Sequence, residues 1–122
     1  MNKFIKGFVY ALNGIWHAAA TQLNFRVHLV CAIVAVYAGY ALHISNNEWL
    51  WIILCIGMVL VAELFNTAIE FLTDLVSPEY NKKAGLVKDM SAGAVLITAI
   101  TALIIGLVIF VPKLLALTHH AA

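Results

Sequence analysis

Apolar residues run almost unbroken through three stretches of the chain, and the polar positions between them mark out four elements. No Asp, Glu, Lys or Arg occurs between Val27 and Asn47, and Leu29–Ile44 forms the core of a first predicted membrane span over residues 27–47. A second begins at Trp49 and is carried to residue 76; a third, over residues 89–111, is apolar from Met90 to Phe110 and long enough to cross a bilayer unaided. Trp49 and Trp51 stand at the start of the second span, where aromatic rings favour the headgroup region, and Pro112 with Lys113 is expected to close the third. Residues 3–20 follow another rule. Phe4, Phe8, Leu12, Ile15 and Ala19 recur at three- and four-residue steps while Lys3, Lys6, Asn13 and His17 lie off that line, which predicts an amphipathic helix lying in the membrane interface. A signal peptide needs a longer apolar stretch than one interrupted by Asn13, Trp16 and His17. The fold class expected is an all-α membrane protein, a single domain over residues 1–122 with one surface helix and three transmembrane helices.

Composition agrees with the pattern. The 122 residues are 64% hydrophobic and 11% charged, against about 45–50% and about 25% in soluble domains, and the mean hydropathy is +0.98. The net charge of +1 argues against nucleic acid as partner, and Cys31 and Cys55 lie in apolar runs without metal-clip spacing. The seven glycines make neither GxGxxG nor a Walker loop, and the five histidines show no HExxH spacing; His119 and His120 read as a frayed tail. Small residues at Ala92, Gly93, Ala94 and Gly106 suit close helix packing in the third span. Lys3, Lys6 and Arg26 precede the first span and Lys82, Lys83 and Lys88 lie between the second and third, so the positive-inside rule puts the N-terminus and the 77–89 loop in the cytoplasm.

Four of the six acidic residues fall between Glu63 and Glu79. Glu63, Asn66, Glu70 and Asp74 share one helix face, and no Lys or Arg occurs between Arg26 and Lys82 to neutralise them. A carboxylate at the bilayer centre costs about 2.5–3.5 kcal/mol, so such a face needs a cation, a partner helix or water. Glu70 and Asp74 also read as the solvated end of a helix, and Asn66 alone as glue between helices; together the four offer the hard oxygens a divalent cation takes. Next comes SPEYNKKAGLVKDM, residues 77–90: Pro78 breaks the helix, Gly85 permits a turn, and Lys88-Asp89 stands at the start of the third span. A lysine beside a carboxylate-bound Mg²⁺ is what phosphate chemistry asks for.

The segments ELFNTAIEFLTD (63–74), Ser77-Pro78-Glu79-Tyr80 and KAGLVKDMSAGAVL (83–96) closely resemble the prokaryotic diacylglycerol kinase family, which includes the undecaprenol kinases. The likeness extends more weakly over most of the chain through Tyr10, Gly14 and Asn24-Phe25-Arg26. It implies a homotrimeric lipid kinase of the bacterial inner membrane, with sites shared between subunits, using ATP and Mg²⁺ to phosphorylate a lipid alcohol. Glu63 then corresponds to the general base, Asn66 helps organise the centre, and Glu70 is a metal ligand beside ATP. Lys88, Asp89, Glu79 and Tyr80 hold the nucleotide, Tyr10 closes over it, and Arg26 and His28 meet the lipid head. His28 is the choice more typical of undecaprenol-type members. Gln22 stands where the family's second metal-ligating carboxylate falls; an amide oxygen coordinates without the negative charge, so metal affinity should fall. From the residues alone two other classes stay open. One is a small proton- or cation-coupled transporter, since ion pathways use intramembrane carboxylates; the other is a non-catalytic membrane subunit.

Overall fold

The computed structural model describes residues 2–121, and among these every regular element is helical: α1 (Lys3–Thr21), α2 (Leu23–Ala41), α3 (Asn46–Val76) and α4 (Lys82–Ala121). Leu23–Ala41, Asn46–Val76 and Lys82–His120 are long and apolar enough to cross a membrane. At 1.5 Å per residue α2 is about 28 Å long, just the depth of the hydrocarbon layer, whereas α3 and α4 at about 46 and 60 Å outreach it. Helix α3 is central: it packs against α4 along most of its length, and against α2 and α1 over shorter stretches.

Caps, rather than hydropathy, set where the helices start and stop. The first span, expected over 27–47, is helical over Leu23–Ala41 and ends in a Schellman turn. His43 takes a left-handed φ of 53°, its N–H donates to Tyr40 O, and the Ile44 N–H donates to Gly39 O. Gly39 is required there: a Cβ would lie 2.6 Å from Trp49 Cη2 and 3.1 Å from Ile44 Cδ1. The second span starts at Asn46 rather than Trp49, because Ser45 and Glu48 form a reciprocal capping box.

The third span begins well before residue 89. The Asn81 side chain accepts from the N–H groups of Lys83 and Ala84, so Gly85, expected in a turn, lies inside α4. Nor do Pro112 and Lys113 close it. Helix α4 runs on to Ala121, through the tail expected to fray, and it is held by α3 and its flanking residues on either side of the proline. Ile109 is buried with Ile44 and Ile52, and Lys113 Nζ sits 3.1 Å from Glu48 Oε1. The loop joining α3 and α4 is accordingly only residues 77–81. Helix α1 matches its expected range to within a residue but is exposed along its length except near Ala18, and it touches the bundle at its C-terminal end, where the His17 ring meets Phe71 edge-on at 6.0 Å.

Candidate active site

The buried residues of α3 recur on one face as Ile52, Cys55, Val59, Glu63, Asn66 and Thr67. The face is apolar for its first half and polar for its second. At the change stands Glu63, a carboxylate only 2% exposed. Its partner comes from α2, where Phe25, fully buried, anchors the helix and His28, one turn on, brings Nε2 to 3.1 Å from Glu63 Oε1. Among the described residues, His28 is the one cationic or potentially cationic side chain within ion-pair distance of Glu63.

One turn along α3, the buried Oδ1 of Asn66 has no hydrogen-bond partner. Most buried polar atoms are paired, and one left bare costs about 1–3 kcal/mol. Glu70 follows on the same face, half-buried, and then Asp74 accepts from Lys88 Nζ at 2.6 Å. Glu70 is close enough to act electrostatically on the same ammonium. From the opposite helix Ser91, 8% exposed and one turn beyond Lys88, lines the seam between α3 and α4. The result is a strip of acidic and amide oxygens that starts deep between the helices and ends, toward the α3–α4 loop, at a lysine.

The structure brings together Glu63 with His28, and Glu70 with Asp74 and Lys88. Other expected site residues stand apart from that strip within one chain. Tyr10 is 68% exposed on α1, and Arg26, Glu79 and Asp89 face outward. The Tyr80 ring lies over Gly85 but is 90% exposed. Gln22 caps the α1–α2 junction, half-buried, its amide nitrogen donating to Thr21 Oγ1 at 3.2 Å. Among the described residues no group of three or more His, Cys, Asp or Glu side chains converges as a metal site. Sequence reasoning missed Ser91 and Thr67 in the buried seam, and the pairing of His28 with Glu63. The three-residue step from Lys88 to Ser91 was a readable signal for the first; nothing in the sequence signalled the pairing.

Three helices of membrane length, with an acidic strip along the seam of two of them, define an all-helical integral membrane protein. The family model for prokaryotic diacylglycerol kinase matches residues 9–110, and the chain belongs to that family. It is 43% identical over 114 residues to an undecaprenol kinase of Bacillus subtilis (strain 168), covering 93% of each protein. It is also 40% identical over 111 residues to a diacylglycerol kinase of Synechocystis sp., covering 90% of this chain and 63% of that one. To the diacylglycerol kinase of Escherichia coli (strain K12) it is 31% identical over 102 residues, covering 84% of both. The chain is thus a lipid kinase, and the transporter and non-catalytic readings are set aside.

Proposed function

We propose that the chain transfers the terminal phosphoryl group of ATP to the hydroxyl of a membrane lipid alcohol, undecaprenol in preference to diacylglycerol. The observation that carries the reading is the buried Glu63 at the deep end of an oxygen-lined strip leading to Lys88. Glu63 takes the proton from the lipid hydroxyl as its oxygen forms a bond to phosphorus; the bond from phosphorus to the bridging oxygen breaks and ADP departs with the electron pair. A general base placed this way is worth about 10²–10⁴-fold in rate. Lys88, held by Asp74, offsets charge on the phosphate tail, and the outward-facing Asp89, Glu79, Tyr80 and Tyr10 close around the rest of the nucleotide. Arg26 meets the lipid head. The preference for undecaprenol is supported by the likeness to the Bacillus enzyme over nearly the full length of both chains.

The donor set suits magnesium. The unpartnered Asn66 oxygen and the Glu70 carboxylate are hard ligands one turn apart, and Mg²⁺ commonly takes only one or two carboxylates, with phosphate oxygens and water completing its shell. Glu70 and Asn66 would hold it, with Gln22 as a weaker, uncharged donor. It would supply neutralisation of the charge on the phosphate tail. Residues left facing outward within one chain are completed by neighbours in a homotrimer. Lys3 and Lys6 at the start of α1, Arg26 at the start of α2 and the lysines around the α3–α4 loop support a cytoplasmic placement of that end in the bacterial inner membrane, with α1 lying on the surface.

The test is phosphorylation from labelled ATP, with undecaprenol and diacylglycerol offered side by side in mixed micelles. Wild type is expected to label undecaprenol faster, and Glu63→Gln to lose at least about 100-fold in turnover with unchanged nucleotide binding and oligomeric state. Wild-type turnover by Glu63→Gln would remove the base assignment, and faster labelling of diacylglycerol would reverse the substrate order.

A further inference from the structure

We propose that His28 is a positioning residue for Glu63, not a contact for the lipid head: its imidazole holds one carboxylate oxygen and so aims the other at the acceptor hydroxyl. The inference rests on the reading of Glu63 as general base. A glutamate turns about three side-chain bonds, and a base helps only while its free lone pair points at the proton it is to take. Burial restrains Glu63 but does not choose its direction. The His28 Nε2 at 3.1 Å from Oε1 supplies the choice and leaves Oε2 to the substrate. The carboxylate is nearly sealed, with 3% of its side chain exposed against 22% for the imidazole, so His28 stands on the outer side of the pair. Lys88 is engaged with Asp74 and does not take this part. His28 is itself held from behind, since Phe25 one turn earlier is 1% exposed and fixes that face of α2. This is the logic of a base oriented by a third group, here built across two membrane helices.

Three substitutions at one position test the geometry in the full-length protein, assayed with MgATP and undecaprenol in mixed micelles. The amide nitrogen of glutamine lies as far from the backbone as Nε2 of histidine, whereas that of asparagine falls one atom short. His28→Leu is expected to lower kcat 10- to 100-fold with KM for the lipid within about two-fold of wild type. His28→Gln should recover most of that loss, and His28→Asn should stay close to His28→Leu. Thermal melting and nucleotide binding, read alongside, should be alike in all three. A rise in KM at unchanged kcat in His28→Leu would mean that the imidazole contacts the lipid, and would overturn the proposal. So would a His28→Gln enzyme as slow as His28→Leu, or a loss of kcat that merely follows a loss of melting temperature. Failure of the base reading is read separately, from Glu63→Gln: if that variant turns over normally the base is elsewhere, whereas a dead Glu63→Gln beside a normal His28→Leu sinks only the part given to His28.

Discussion

The two halves of α3 bury the same helix face with opposite chemistry. From Ser45 to Val59 the face carries Ile52, Cys55 and Val59, packs with Ile44 and Ile109, starts at a complete capping box and is tied to α4 through Glu48 and Lys113. From Glu63 onward it carries a carboxylate, an amide and a hydroxyl, leaves one buried oxygen unpaired, and ends at an exposed Lys88–Asp74 pair. The first half is satisfied: its polar groups are capped and its apolar groups are filled against neighbours. The second half keeps a desolvated amide oxygen, that of Asn66, which no atom of the described residues completes. Unmet hydrogen-bonding capacity in a membrane interior is costly, and it is retained where a substrate or an ion supplies the missing partner. Stability is therefore concentrated at one end of α3, and the proposed chemistry at the other.

Paired substitutions on the two halves should separate these roles. Asn66→Leu replaces the unpaired amide with an apolar group of similar shape; it is expected to cost about 10–100-fold in activity while the melting temperature holds or rises. Ile52→Ala should do the reverse, losing about 2–5 kcal/mol of stability by opening a cavity beside Ile44 and Ile109, with kcat per folded molecule unchanged. If both variants lost stability alike, the division between the halves would be false. A smaller effect is expected for Gly39→Ala, because the new methyl meets the Trp49 ring 2.6 Å away; overpacking of this kind costs about 1–3 kcal/mol, read as a lower melting temperature with lipid phosphorylation intact in the folded fraction. The smallest is expected for Lys113→Met. Its partner Glu48 also caps α3, so removing the lysine should lower the melting temperature slightly, and the drop should disappear when made in a Glu48→Gln background.

Much of the architecture was legible because a bilayer leaves a chain few options. Long runs without charge form helices there, so three spans could be read from Val27–Asn47, Trp49–Ala62 and Met90–Phe110, and the preceding helix from the three- and four-residue steps of Phe4, Phe8, Leu12, Ile15 and Ala19. Their ends were less legible. Leu42, His43 and Ile44 carry no Asp, Glu, Lys or Arg to stop a span, yet the chain turns there because His43 adopts φ 53° and Ile44 drops into the core. Pro112 is a helix breaker by local rules, and α4 continues through it because Ile109 and Lys113 are both held by neighbours. The Ser45–Glu48 capping signature stood in the sequence just ahead of the start expected at Trp49, and it sets the start of α3 at Asn46.

What the amino-acid order determined by itself was the membrane, the number of spans and the acidic face of Glu63, Asn66, Glu70 and Asp74, because hydropathy and the 3.6-residue period act along one helix and need no neighbour. What tertiary structure alone decided was how deep each of those groups lies and what stands against it. Glu63 is sealed and faces His28, thirty-five positions away in the chain; Asp74 is exposed and joined to Lys88; Asn66 is buried with an oxygen left free. Exposure and partnership belong to the contacts between helices, and equal spacing on one helix assigns the same face to a residue that ends in the interior and to one that ends in water.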